Sequence, residues 1–211
     1  MVARINTGKS ISKALNYNEK KVQQGTAEIL SASNFLKDAD KMNFYEKLAT
    51  FEKLTSLNER TTTNILHVSL NFDSSEILGN EKLIAIANSY MKRIGFGDQP
   101  FFIYRHFDTG HPHIHIVSTK IQRDGNRISM HNMGHNQSER ARKEIEIEFG
   151  LVKAESKKLV DGAVLKPVNA QKINPGKRAT KAAISNILGI VIPQYKYGSL
   201  AELNAVPTCP N

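Results

Sequence analysis

The stretch from Phe101 to Ile121, FFIYRHFDTGHPHIHIVSTKI, holds four of the seven histidines of this chain. Two runs within it, FFIYRHF and HIHIVSTKI, have the character of β-strands, and the residues between them favour a turn. The spacing therefore predicts an antiparallel hairpin. Because alternate residues of a strand share a face, His106 on the first strand faces His113 and His115 on the second.

Three imidazoles from two neighbouring strands can hold a divalent metal ion and leave positions open for water or substrate. His106, His113 and His115 are therefore the candidate metal ligands. Asp108 follows the first of them by two residues, and its carboxylate is the kind of group that fixes the tautomer of a ligand histidine. The plain alternative is a histidine-rich surface turn that binds nothing. His111 lies in the turn beside a proline and is left out of the ligand set.

The pattern H-x-D-T-x-x-x-H-x-H and the apolar run after it, from His106 to Val117, resemble the three-histidine motif of DNA relaxases. Relaxases are the mobilisation nucleases of plasmids and integrative elements, within the HUH endonuclease superfamily. The resemblance extends from about Gly8 to Leu151. It implies that one strand of DNA is nicked and rejoined at a transfer origin, through a tyrosine that becomes joined to the 5′ phosphate.

The same resemblance implies cofactors and partners. The family is credited with Mn or Mg in its working state, whereas imidazole ligands alone suit Zn, Co, Ni or Cu. The implied substrate is single-stranded DNA at the transfer origin, and accessory mobilisation proteins and a coupling protein are further implied partners.

Tyr17 is the nucleophile that the resemblance implies. Ser10 has the side chain of a helix N-cap, and apolar residues follow it at helical spacing, so we expect a short helix with Tyr17 at or just after its end. Composition alone favours a half-buried structural tyrosine at this position. Tyrosine relaxases, however, carry their nucleophile in a segment similar to SISKALNYNEKK, and Tyr17 is the matching residue. Tyr104 shares the face of His106 and is the rival nucleophile.

Between this helix and the hairpin, the pattern predicts a helix from about Ser31 to Leu57, a strand and a second helix. The strand, TNILHVSLNF, alternates cleanly and carries His67 and Ser69 on its more polar face. The resemblance assigns a DNA contact to Ser69. The second helix has Tyr90 in its apolar stripe, which makes that tyrosine part of the core.

Basic residues follow the hairpin. A tight turn at Asp124-Gly125-Asn126 precedes a return strand, and a last helix is expected with Ser138 as its N-cap. His131 and His135 lie in a polar loop and are read as solvent or phosphate contacts. The candidate phosphate contacts, which would position the DNA without reading its sequence, are Arg123, Arg127, Arg140 and Arg142.

Composition sets wider limits. The net charge of +9, from 29 Lys and Arg against 20 Asp and Glu, favours a polyanionic partner. Cys209 is the only cysteine, which excludes an intramolecular disulfide and a cysteine-based zinc site. The sequence has no apolar run long enough to span a bilayer and no signal-peptide pattern, so we expect a cytoplasmic protein without membrane insertion.

Two regions are expected. Residues 1–151 form the nuclease domain, and residues 152–211 form a basic extension, partly flexible, at the start of a longer protein that is truncated here. The predicted fold is α+β, an antiparallel β-sheet with helices packed mainly on one face, and the sheet of the superfamily is similar.

Three other functions remain open. One is a rolling-circle replication-initiator nuclease of the same superfamily. Another is a metal-dependent hydrolase that uses activated water and forms no covalent intermediate. The third is a DNA-binding module without catalysis, in which the histidines are incidental.

Overall fold

The structure, a computed structural model, describes residues 1–156, and the predicted basic extension lies almost entirely outside the described residues. The described elements are β1 (Val2–Gly8), α1 (Ile11–Gln23), β2 (Ala27–Ser33), a short 3₁₀ turn (Ala39–Lys41), α2 (Phe44–Thr55), β3 (Ile65–Asn71), α3 (Asn80–Arg93), β4 (Phe101–His106), β5 (His113–Thr119), a π-helical turn (Gly134–Ser138) and α4 (Glu139–Glu148). None of these helices has the length and apolar content that crossing a bilayer requires.

The five strands form one antiparallel sheet in the order β1-β3-β5-β4-β2. The predicted hairpin of β4 and β5 is confirmed and lies inside the sheet, where His106 pairs with His113 in register. The predicted strand that carries His67 and Ser69 is β3, next to β5. The histidine-bearing strands are thus paired on both sides, which fixes the direction of their side chains.

Both faces of the sheet are covered by helices. On one face, Val68, Ile103 and Ile116 pack in a core that includes residues of α3 and α4. On the other face, Phe102 and Val117 pack in a second core with residues of α1 and α2. The α+β class with an antiparallel sheet is therefore confirmed, but two helices lie on each face, whereas we expected them mainly on one. The apolar residues on the second face require this cover.

The two edge strands, β1 and β2, were not predicted. The segment AEILSAS of β2 is rich in small residues with weak strand preference, and the helix expected from about Ser31 begins only at Phe44. Hydrogen bonding to β4 stabilises β2 as a strand in spite of its weak local preference for that structure. The predicted return strand after the hairpin is reduced to a single bridge between Ile121 and Arg127, which lie on either side of a turn in which Gly125 has a φ of 81°.

Helix α1 begins as predicted, since the Ser10 side chain accepts a hydrogen bond from the backbone N–H of Lys13. It continues to Gln23, however, so Tyr17 lies in the middle of the helix and not at its end. A regular helix places the side chains one turn further along beside that of Tyr17.

Candidate metal centre and nucleophile

The register of the sheet arranges the candidate residues in two neighbouring rows on one face. One row runs across β1, β3, β5 and β4 through Val2, Asn71, His113 and His106. The next row runs through Arg4, Ser69, His115 and Tyr104. Residues paired across strands point to the same side, so the three candidate ligands share one face.

The three imidazoles converge. His106, His113 and His115 each offer a nitrogen, and these atoms lie within 4.8 Å of one another. The ring centroids of His106 and His115 are 4.2 Å apart, and His113 lies 5.4 Å and 5.3 Å from them. The convergence predicted from the hairpin is thus present.

Asn18 determines which nitrogen of His106 faces the centre. The Asn18 amide N–H donates to the carbonyl oxygen of Ala14 at 2.8 Å, so its side-chain oxygen accepts from His106 Nε2–H at 2.9 Å. His106 Nδ1 then carries a lone pair, and this buried atom has no hydrogen-bond partner in the described part of the chain. A buried ring nitrogen of this kind is suited to a metal ion.

In the other two candidate ligands, His113 and His115, the Nδ1 atom also has a hydrogen-bond partner. The Thr109 hydroxyl donates to the His111 carbonyl oxygen at 3.0 Å, so its oxygen accepts from His113 Nδ1–H at 3.0 Å and leaves the lone pair of His113 Nε2 on the side of the centre. His115 Nδ1 lies 2.9 Å from His67 Nε2, and His115 Nε2 has its lone pair for the centre when His115 Nδ1–H is the donor of this bond.

All three rings are held neutral, as metal ligation requires. Burial, together with neighbouring His113, lowers the pKa of His106 to about 4. Burial, together with neighbouring His106 and His67, lowers the pKa of His115 to about 3. Burial also lowers the pKa of His113. The donor set therefore fits a divalent cation.

Tyr17 stands at the mouth of this cluster. Its side chain is 48% exposed, and its ring centroid lies 6.0 Å from that of His106 and 6.1 Å from that of His115. Lys21, one helical turn later, places its ammonium nitrogen 5.1 Å from the centroid of the Tyr17 ring. The phenol is therefore open to solvent, close to the imidazoles and beside a cation.

Asp108 occupies a different place from the one expected. One carboxylate oxygen forms an ion pair with Lys21, and the other lies 3.3 Å from His113 Nε2 and 3.9 Å from His106 Nδ1. The carboxylate thus lies on the same side as the nitrogens that face the centre, whereas we expected it behind a ligand. The hydrogen bond with Lys21 lowers the pKa of Asp108, and the same bond raises the pKa of Lys21.

Tyr104, the rival nucleophile, is fully buried. Its hydroxyl donates to the Glu19 carboxylate at 2.6 Å, and Lys47 donates to the same carboxylate oxygen at 2.8 Å. Burial, reinforced by the Glu19 charge, raises the pKa of Tyr104 far above its ordinary value. This tyrosine therefore ties α1 and α2 to the sheet and is unsuited to attack.

The residues predicted to contact DNA do not all lie near the histidine cluster. Ser69 is partly exposed and lies beside His115 in the sheet register. Arg123 and Arg127 are exposed but follow the far end of β5, and the length of that strand separates them from His113. The structure therefore brings Ser69, but neither arginine, to the histidine cluster.

Two residues of the site were not identified from the sequence, Asn18 and Lys21. Both follow Tyr17 on α1, and Lys21 at four residues further is on the same helical face. If the helix had been predicted to continue past Tyr17, its spacing would have placed Lys21 beside that tyrosine. Asn18 gave no such signal, because its partner His106 is 88 residues away.

The sequence of this chain matches a protein family whose members carry out the kind of chemistry that the site suggests. A family model described as "Relaxase: MobA/VirD2-like, nuclease domain" matches residues 17–151, which is more than half of the chain. The chain therefore belongs to the MobA/VirD2-like relaxase family, and it contains the nuclease domain of that family. A search of curated proteins gives no match.

Proposed function

We propose that this relaxase domain cuts and rejoins single-stranded DNA at a transfer origin by transesterification, with Tyr17 as the nucleophile. One observation carries the proposal. The exposed phenol of Tyr17 has its ring centroid 6.0 Å and 6.1 Å from those of two of the three converging imidazoles. DNA nicking at a transfer origin is what the family supports in general, and the roles of individual residues are our proposal.

His106, His113 and His115 would hold a divalent ion through the nitrogens that face one another, beside the Asp108 carboxylate. When bound, such an ion supplies Lewis acidity to the scissile phosphate and offsets the charge that develops there. Mn and Mg are the ions that the family resemblance implies, and Zn, Co and Ni also suit imidazole ligands.

The covalent step exchanges one phosphate ester for another. The Tyr17 oxygen forms a bond to phosphorus and gives up its proton to solvent, while the bond from phosphorus to the 3′ oxygen breaks and that oxygen takes up a proton. The products are a 5′-phosphotyrosyl link and a free 3′-hydroxyl end, so the energy of the phosphodiester is kept and rejoining is the same step in reverse. Asp108 supports this reaction by holding Lys21.

Lys21 is placed to assist the nucleophile. A phenol, with an ordinary pKa of about 10, must lose its proton to attack. The hydrogen bond with Asp108 raises the pKa of Lys21 and keeps it charged. A fixed ammonium beside the Tyr17 ring stabilises the phenolate as it forms.

The test is a covalent-adduct assay. The purified chain is mixed with Mn²⁺ and single-stranded oligonucleotides, labelled at the 3′ end and tiled across the DNA that flanks its gene, and the products are separated under denaturing conditions. We expect a labelled protein band that disappears in Tyr17→Phe and after addition of chelator. Tyr45→Phe is the matched control, because Tyr45 is also an exposed tyrosine on a helix, with 78% of its surface accessible.

Two results would overturn the proposal. Cleavage without a labelled protein band would instead support the hydrolase. An adduct that persists in Tyr17→Phe would show that another residue is the nucleophile. Accessory mobilisation proteins and a coupling protein belong to the proposal only through the family resemblance, and they are not needed for this assay.

A further inference from the structure

Helix α2 has apolar residues on two adjoining faces, and the sheet covers only one of them. Leu48 and Phe51 pack in the core beneath α1 and α2. The adjoining face carries Ala49 and Leu54, and Leu57 just beyond the end of the helix continues it. This face remains at the surface, where Leu57 is 52% exposed. An apolar stripe left at the surface is typical of a site that binds another molecule.

The segment between β2 and α2 forms the opposite wall of a groove of about 700 Å³. On this wall, Leu36 is a fully exposed leucine. Phe35 anchors the wall by stacking on Phe102, with the two ring centroids 4.2 Å apart. The Asn34 side chain also donates a hydrogen bond to the carbonyl oxygen of Gly97 at 2.7 Å. The wall is therefore fixed by the fold, so binding in the groove has a small ordering cost.

The rim of the groove carries positive charge. Among the described residues that line it, the only carboxylate is that of Glu46, which forms an ion pair with Lys37 at 2.7 Å. Lys53 and Arg123 also line the groove, and both are exposed and take part in no ion pair among residues 1–156. Apolar walls between two such cations suit a segment of protein that combines apolar side chains with carboxylates.

The groove lies at the end of the sheet away from the candidate metal ligands. Pro100, which lines it, directly precedes β4, whereas His106 is at the other end of that six-residue strand, about 17 Å away. The turn that follows β5 carries Arg123 to the groove, and Asn58 donates a hydrogen bond to the carbonyl oxygen of Gly125 in this turn at 2.9 Å. An occupant of the groove therefore leaves the histidine cluster accessible.

We propose that this groove, between α2 and the segment that precedes it, binds an acidic amphipathic helix of a partner protein. The wall from Glu46 to Leu57 is about 17 Å long at 1.5 Å per residue, which matches about three turns of a bound helix. Apolar side chains of that helix pack between Leu36 and Leu57, and its carboxylates pair with Lys53 and Arg123. A phosphate backbone has no apolar groups to fill such walls, so the groove favours a peptide over DNA.

Selection of peptides from a random phage-displayed library on the immobilised full chain tests the proposal. We expect the enriched peptides to combine apolar residues at helical spacing with Asp and Glu. Fluorescein-labelled copies of these peptides are then titrated with each variant, and fluorescence anisotropy gives the affinity. Leu36→Asp/Leu57→Asp is expected to weaken binding by about tenfold or more, because it places charge on both walls. The matched control is Ile77→Asp, since Ile77 is a fully exposed apolar residue that precedes α3 on the other face of the sheet.

Reversal of the rim charge tests the expected chemistry of the partner. Lys53→Glu/Arg123→Glu is expected to weaken binding of the acidic peptides by about tenfold or more, because like charges then face one another. A new selection on this variant is expected to enrich Lys and Arg in place of Asp and Glu. The matched control is Lys82→Glu/Lys92→Glu, which reverses two exposed cations on α3 at the opposite face of the sheet.

Three results would overturn the inference. One is a selection that enriches no peptide, or only peptides without acidic residues. Another is equal binding of the enriched peptides to wild-type protein and to Leu36→Asp/Leu57→Asp. The third is a concentration-dependent dimer in sedimentation that Leu57→Asp abolishes, because the occupant would then be a second copy of this chain. Thermal melting of each variant checks that these substitutions, all at exposed positions, leave the fold intact.

Discussion

Asn18 connects the helix that carries Tyr17 to a candidate metal ligand. It is fully buried, and its side-chain oxygen accepts the hydrogen of His106 Nε2. Replacement by leucine removes that acceptor, so the ring of His106 is no longer confined to the tautomer with a lone pair on Nδ1. We expect Asn18→Leu to weaken Mn²⁺ binding by about 10- to 100-fold, as loss of such a supporting hydrogen bond usually does.

Two measurements separate this effect from a general disturbance of packing. Titration with Mn²⁺ gives the affinity, and ¹⁵N NMR of the metal-free protein reports the tautomer of His106. Asn18→Asp keeps an acceptor for Nε2–H and is expected to keep the tautomer. Our account of Asn18 is wrong if Asn18→Leu leaves both the tautomer and the affinity unchanged.

Lys21 provides a prediction about the nucleophile. Lys21→Met keeps the length of the side chain and removes the charge beside Tyr17. Because a hydrogen bond or contact to a charged group contributes about 1.5–3 kcal/mol, we expect adduct formation to slow by at least about tenfold, with the pH profile moved to higher pH. The rate of adduct formation between pH 6 and pH 9 is the measurement.

The control for Lys21 is Lys20→Met, which removes an exposed neighbouring charge on the same helix. A purely structural role for Lys21 would lower the rate at every pH by the same factor. That outcome, or an equal effect of Lys20→Met, contradicts the assignment.

The lowered pKa values of the histidines predict how stability depends on pH. His106 and His115 have pKa values of about 4 and about 3 in the folded chain, against about 6.5 when unfolded. Between these values the unfolded chain binds more protons than the folded one, so stability is complete above about pH 6.5 and is lost as the pH falls. We expect the Tm of the chelator-treated protein to decrease between pH 7 and pH 5.5.

A smaller decrease is expected in His115→Gln, because that variant removes one of the groups that titrate in this window. Carboxylates titrate mainly below it and contribute little. A Tm that is flat from pH 7 to pH 5.5 in the wild-type chain would show that the rings are not held neutral.

At the scale of elements, α1 positions the nucleophile by packing its apolar side on the sheet. Leu15 is fully buried in the core beneath α1 and α2. Truncation of a buried leucine to alanine usually costs about 2–5 kcal/mol, and we expect Leu15→Ala to destabilise the chain by that amount. Urea unfolding is the measurement, with Leu36→Ala as control because Leu36 is fully exposed. A cost below about 1 kcal/mol would contradict the packing role.

The elements differ in how far they could be predicted from the sequence. The β4–β5 hairpin and β3 carry strong alternation or turn chemistry, and both were predicted with the right faces. The edge strands β1 and β2 were missed because each pairs on one side only and has a weak pattern. Ser138, expected to cap α4, instead hydrogen bonds to the Tyr90 hydroxyl at 2.6 Å, since a buried phenol requires a partner.

The candidate site is assembled from distant parts of the chain, and only part of it was predictable from the sequence. Three histidines of one hairpin converge through local geometry, so their spacing was sufficient to find them. The approach of α1 to that hairpin depends on the topology of the sheet, and an amphipathic pattern does not say which face a helix covers. Tyr17 was therefore found through resemblance, while its neighbours Asn18 and Lys21 became apparent only in the fold.

The proposed chemistry requires a phenol at the mouth of the histidine cluster that becomes esterified to DNA. The most direct measurement is mass spectrometry of the adduct after digestion with protease and nuclease. We predict that the α1 peptide carries a nucleotide joined through its 5′ phosphate to the oxygen of Tyr17. A nucleotide on another residue, or a cut strand with no modified peptide, would contradict it.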